Sequence, residues 1–155
     1  MIKFQRELAQ DVFEEMIPLL KKHWEEIAHF KDIPLNPDVE LYYQMEDAGT
    51  LRVYTARTEE GKLVGYCVFF LRNNLHYRSS LQALQDVLFI DPDHRGMFGA
   101  KFILWCEGQL EYEGVQVVFQ HIKVATQKTV ELMKRLGYEP IDMIMGKRLD
   151  KTEKS

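Results

Sequence analysis

The sequence predicts a mixed α/β (α+β) fold in which a central mixed β-sheet carries helices on both faces. Three observations point there. After a short first strand, the periodicities run in the order helix, helix, strand, strand, strand, helix, strand, helix, strand. The stretch from Leu63 to Leu71 is so continuously apolar that it reads as a strand covered on both faces. From Leu88 to Lys101 a buried strand passes into a helix through a glycine-containing turn.

Each element has a local reason. Ile2 to Phe4 makes the first strand, and Asp11 stands where it could cap a helix whose Phe13, Met16, Ile17, Leu20, Trp24 and Ile27 follow helical spacing. The segment Ile33-Pro34-Leu35-Asn36-Pro37-Asp38 breaks the helix, because each proline lacks an amide donor and restricts the residue before it. A second helix from Val39 to Ala48 is stopped by Gly49. Leu51 to Ala56 and Leu63 to Leu71 are strands joined through Glu59-Glu60-Gly61-Lys62, a connection short enough to require antiparallel pairing.

Asn73 to Ser80 is a polar loop, and Ala83 to Ile90 is a strand that ends at Asp91-Pro92-Asp93. Met97 to Glu113 is a helix with Phe98, Phe102, Ile103, Cys106 and Leu110 on one side. Gln116 to Gln120 is a further strand, Thr126 caps a helix through Leu136, and Gly137 supplies its left-handed stop. Pro140 to Leu149 alternates enough for a last strand, in which Ile141, Met143, Ile144 and Met145 could pair across a dimer.

Composition bounds the function. With 155 residues, 46% hydrophobic and 28% charged, the chain reads as one domain over residues 1–150 with a frayed tail at 151–155. A net charge of −4 speaks against nucleic acid and anionic membranes as partners, which select a basic excess. The N-terminus lacks a signal-peptide core and no apolar run approaches a membrane span, so a cytoplasmic protein is expected. Cys67 and Cys106 sit in apolar stretches and read as buried free thiols. The sequence shows no metal-ligand spacing, Ser-His-Asp arrangement or nucleotide P-loop, which leaves metal binding, hydrolysis and phosphoryl transfer without support.

The strand-turn-helix at Leu88 to Lys101 is physically an anion site. The first amides of a helix have no internal partners and their dipole favours negative charge, while Gly96 and Gly99 let a ligand come close to the backbone. Here Asp91-Pro92-Asp93-His94-Arg95-Gly96, followed by a small-residue turn and an amphipathic helix, resembles the coenzyme A signature of the Gcn5-related N-acetyltransferases (GNAT). The family motif is Gln or Arg, two residues, Gly, one residue, then Gly or Ala. Arg95 and Ala100 match its ends, and Phe98 stands where the family usually has glycine. The resemblance covers nearly the whole chain, through Arg135-Leu136-Gly137-Tyr138, and is nearest to small acetyltransferases encoded by tailed bacteriophages.

That resemblance implies a GNAT fold with splayed central strands holding acetyl-CoA, and transfer of its acetyl group to a primary amine of a small molecule or protein. It implies that Leu88, Phe89 and Ile90 offer backbone groups to the pantetheine arm. Arg95, Gly96, Met97, Phe98, Gly99, Ala100 and Lys101 then hold the pyrophosphate. Asp86, on a strand face expected to be shared with Leu84, Leu88 and Ile90, resembles the acidic residue that several members use as a base. His121 is a second candidate base or relay. The usual asparagine and thiolate-protonating tyrosine are replaced by Thr126, which stays a candidate for binding the cofactor, and Met133, which leaves Tyr138, a water or direct thiolate release for that step.

On the acceptor side His23, Trp24, His29, Tyr42 and Tyr43 are candidates from the first two helices, and His76 and Tyr77 from the loop. Trp24 also fits the buried stripe of its helix. Glu25, Glu26, Glu40, Glu46 and Asp47 make these helices acidic, which suits a cationic acceptor as well as two solvated faces. The rival reading is a catalytically weak GNAT-fold module that binds a host protein. Under either reading a monomer or homodimer is expected.

Overall fold

In the computed structural model, which describes residues 1–95 and 97–150, the apolar run of the sequence is the middle of a sheet. The strands are β1 (Ile2–Arg6), β2 (Leu51–Thr58), β3 (Leu63–Asn73), β4 (Leu81–Ile90) and β5 (Val117–Phe119), lying side by side in chain order. Neighbours are antiparallel except β4 and β5, which are parallel. The helices are α1 (Ala9–Ile27), α2 (Val39–Asp47), α3 (Met97–Tyr112) and α4 (Gln127–Arg135).

Alternation along β3 feeds two separate cores. Tyr66 and Val68 pack with Val12, Phe13 and Met16 of α1, and with Leu51, Val53 and Phe89. Cys67 and Phe69 pack with Phe102, Cys106 and Leu110 of α3, and with Tyr54. Each large side chain so buried contributes roughly 1.5–3 kcal/mol of transfer free energy. Cys67 and Cys106 are free and buried, as expected.

Several local expectations gave way to tertiary contacts. Asp11 does not cap α1. Leu8 occupies the N-cap without a side-chain bond, and Glu46 of α2 accepts from the Ala9 amide at 2.6 Å through Oε2. Ile17, expected in the buried stripe, is 42% exposed, while Leu19 and Leu20 pack against the core beyond Met16. Asp38 caps α2 by accepting from Leu41 N at 3.0 Å. Thr126 sits at the N-cap of α4, but its hydroxyl donates to Lys123 O at 2.6 Å instead of capping. Gly49 and Gly137 do stop their helices in the left-handed region, at φ 78° and 97°.

The expected last strand is absent: residues 139–148 form no ladder. The run Ile141-Asp142-Met143-Ile144-Met145 loses alternation at Ile144, so no register buries all its apolar side chains, and Gly146 weakens it further. Met143, Ile144 and Met145 are about four-fifths exposed. Arg148 instead fastens the segment to the α1–α2 connection, pairing with Asp32 at 2.9 Å and lying 5.5 Å over the Phe30 ring.

Asp86 does not share a face with Leu88 and Ile90. The β3–β4 register jumps from Val68↔Val87 to Phe69↔Gln85, which leaves Asp86 as the extra residue of a β-bulge. Leu88 and Ile90 join the α3-side core, while Asp86 and Val87 both turn towards α1 and α2.

At the other edge of the sheet Glu7 ties β1 to β2. Burial pushes its carboxyl up, but hydrogen bonds from Arg57, Thr55 and Gln5 outweigh that and hold it at about 2. Arg57 bridges Glu7 at 2.7 Å and Glu15 of α1 at 2.8 Å. A carboxyl lowered on folding from 4.5 to about 2 stabilises the fold above pH 4.5, and that contribution disappears as the pH falls towards 2. Glu7→Gln is therefore expected to cost on the order of 1–2 kcal/mol in urea unfolding at neutral pH, after discounting for solvent screening, and to flatten the acid loss of stability across that window.

Candidate active site

The central groove begins where two parallel strands part. β4 and β5 pair only as Gln82↔Val117, Ala83↔Val118 and Leu84↔Phe119. The next bridge is made by a side chain: Gln85 Oε1 accepts from the backbone amide of His121 at 2.7 Å. From there to Ile90 β4 is paired with β3 alone. Asp91 N donates to Val64 O at 2.8 Å, and Phe89 O lies 3.1 Å from where a Cβ on Gly65 would stand, so these residues turn their polar groups to β3. Alternation then directs the main-chain groups of Leu88 and Ile90 into the groove. Gly65 lets β3 approach β4 this closely.

At the end of β4 the chain runs through a short 3-10 turn, Pro92–His94, into α3. The backbone of Met97 starts the helix, and Gly96 lies outside the described residues. Phe98 turns away from the groove and stacks on Phe4 and Phe102, with centroids 5.7 and 6.2 Å apart. Gly99 packs onto β4: a Cβ there would stand 3.0 Å from Ile90 Cδ1. Ala100 lines the groove, whereas Lys101 is exposed outside its lining.

Arg95 spans this end of the groove. Its Nε donates to Ile90 O at 2.9 Å, and its two terminal nitrogens donate to Glu26 of α1 at 2.9 and 3.0 Å. The Arg95 bonds hold Glu26 below the usual carboxylate range. His23, one turn earlier on α1, is pushed down by burial against Phe89, and further by Arg95 and Lys123, against the pull of Glu26. Cations from three segments, Lys22, Arg95 and Lys123, thus act on one region.

At the bulge Tyr42 of α2 donates its hydroxyl to Asp86 Oδ2. Burial raises the Asp86 carboxyl, opposed by the Tyr42 bond and by the charge of His121. The His121 side chain is exposed on the groove wall. Tyr138 lies across the groove, donating to Glu107 Oε2 of α3 at 2.8 Å and accepting from Gln120 Nε2 at 3.5 Å. Burial raises the pKa of its hydroxyl. Thr126 reaches the groove wall, while Met133 is buried.

Among the acceptor-side candidates, His23 and Trp24 line the groove and Tyr42 reaches Asp86. Trp24 is half-buried there, not in the core. Tyr43 packs on Phe13 at 6.1 Å, and His29 lines the groove edge-on to Phe30 at 4.6 Å. His76 and Tyr77 are exposed in the β3–β4 connection, outside the groove lining, where Asn74 Oδ1 accepts from both their amides. The sequence reading missed the pairings Tyr42–Asp86, Arg95–Glu26, Gln85–His121 and Tyr138–Glu107. Among the described residues no group of three or more His, Cys, Asp or Glu side chains could hold a metal, and no helix is long and apolar enough to cross a membrane.

Residues 13–138 match the model of the acetyltransferase (GNAT) family. The chain belongs to that family. It is accordingly an acetyl-CoA-dependent N-acetyltransferase by class. Its five-stranded mixed sheet is the fold of solved relatives. An aminoglycoside acetyltransferase from an uncultured soil metagenomic sample, in complex with sisomicin, superposes with a TM-score of 0.74 at 18% identity, over 99% of this chain and 97% of the other. Glucosamine-6-phosphate N-acetyltransferase from Arabidopsis thaliana gives 0.71 at 15% identity, over 97% and 99%. A predicted acetyltransferase from Clostridium acetobutylicum, solved with acetyl-CoA, gives 0.68 at 11% identity, over 96% and 97%. No curated protein matches the sequence significantly.

Because Phe98 serves the packing under α3, Phe98→Ala is expected to lower stability by about 2–3 kcal/mol while leaving coenzyme A affinity within about twofold of wild type. Thermal unfolding and calorimetric titration on the same preparation check both halves.

Proposed function

We propose that this chain moves the acetyl group of acetyl-CoA to the primary amine of a small molecule or a protein, with Asp86 as the base. The observation that carries this reading is a half-buried carboxylate on a bulge, at the point where β4 and β5 separate. Family membership supplies the cosubstrate, and the groove has groups for its parts. The main-chain groups of Leu88 and the amide of Ile90, whose carbonyl accepts from Arg95, suit the amides of the pantetheine arm. The free amides at the start of α3, with Arg95, Lys22 and Lys123, suit the phosphates.

The chemistry then follows from protonation states. An alkyl ammonium has no lone pair to attack with, and Asp86 removes one proton from it, directly or through a water. The nitrogen forms a bond to the thioester carbon as the carbon–sulfur bond breaks. The leaving sulfur takes, through a water, the second proton that the nitrogen sheds as the amide forms, since the Tyr138 hydroxyl donates to Glu107. His121, exposed beside Asp86, passes the collected proton to solvent.

Calorimetric titration with acetyl-CoA should show micromolar binding that Arg95→Glu abolishes and Asp86→Asn keeps. In a thiol-release assay across an aminoglycoside, an amino sugar phosphate and a peptide N-terminus, Asp86→Asn should lower turnover about a hundredfold. Absence of binding to the wild type overturns the reading.

Arg95 is already paired, so a phosphate must take the place of Glu26. Glu26→Gln is expected to tighten coenzyme A binding several-fold, with Glu25→Gln, on the same helix, as the control for charge alone.

A further inference from the structure

We infer that Tyr42 is the positioning residue for the Asp86 base, holding one carboxylate oxygen so that the other faces the acceptor's amine. The inference rests on the proposed role of Asp86 and adds the group that orients it. A bulge residue is left out of the ladder, so regular pairing with β3 does not fix where its side chain points. The Asp86 side chain takes one hydrogen bond among the described residues, from a tyrosine 44 positions away on another element. The Tyr42 ring is itself held, edge-on to Phe13 of α1 at 4.9 Å and stacked with Phe70 of β3 at 6.3 Å. Oδ2 is thus occupied and Oδ1 is left for a proton.

Three titratable groups face this carboxylate: Tyr42 from α2, Tyr66 from β3 and His121 from beyond β5. Tyr66 is fully buried and its hydroxyl has no hydrogen-bond partner among the described residues, so it adds burial without a bond. Burial favours the neutral acid and the Tyr42 bond favours the carboxylate, which is the form that can accept a proton. In the transfer, the ammonium proton moves to Oδ1, the nitrogen lone pair is freed, and the Tyr42 O–H bond to Oδ2 persists.

The test needs no known acceptor. The carbon-13 resonance of the Asp86 carboxyl, assigned by its loss in Asp86→Asn, is titrated in wild type and in Tyr42→Phe. The midpoint should rise by about one pH unit in Tyr42→Phe, with acetyl-CoA binding unchanged. An isosteric 3-fluorotyrosine at position 42, a stronger donor, should move it down, and this probe stands even if Tyr42→Phe folds poorly. With an amine from the thiol-release panel, the acid limb of the kcat/KM profile should follow the midpoint, and kcat should fall roughly tenfold in Tyr42→Phe. A midpoint indifferent to both changes overturns the role of Tyr42. Full activity in Asp86→Asn, whatever the midpoint does, overturns the role of Asp86 and with it the need for positioning.

Discussion

Everything that gives this protein a site depends on β4 and β5 ceasing to pair after Leu84 and Phe119. Had the parallel ladder continued, the main-chain groups of Leu88 and Ile90 would be spent on a neighbour and the sheet would be closed there. The bulge falls two residues after the last pair on β4, so the strand bends away from β5 just where its ladder with β3 is also interrupted. Gln85 takes the transitional place between them, replacing a ladder bond with a side-chain bond to the His121 amide.

The two ends of the groove are electrostatically unlike. Around the start of α3, three cations act on a partly open region, and the His23 imidazole is pushed down by burial and by two of them, Arg95 and Lys123. At the bulge, one carboxylate sits against aromatic rings, where lost hydration works against its charge. Under the proposed function a polyanion and an ammonium would each find their complement, because the strand separates the two charges along its length.

Patterns local to the chain were legible in the sequence. The covered run of β3, the left-handed stops at Gly49 and Gly137, and the turn into α3 follow from residue types a few positions apart. What escaped is what tertiary contact decides. Asp11 looked like a cap, but the acceptor at that helix end comes from Glu46, 37 positions on. Strict alternation put Asp86 beside Leu88 and Ile90, and a bulge, which exists only between two strands, moved it to the other face. Phe98 departs from the glycine of the motif, and its stacking on Phe4, 94 positions away, is a packing role that the motif alone does not reveal. The last strand does not form because its apolar residues do not alternate: Ile144 breaks the period.

The α2 helix is only nine residues long and buries none of them completely, yet it reaches out in two directions. Through Glu46 it closes the first turn of α1, and through Tyr42 it touches the strand that opens the groove. A weakly anchored helix carrying both contacts is a mechanical linkage: fraying it at either end loosens a nineteen-residue helix and a carboxylate together. The first amide of α1, that of Ala9, finds its acceptor on chain synthesised later, so this one bond waits until α2 has folded back upon it.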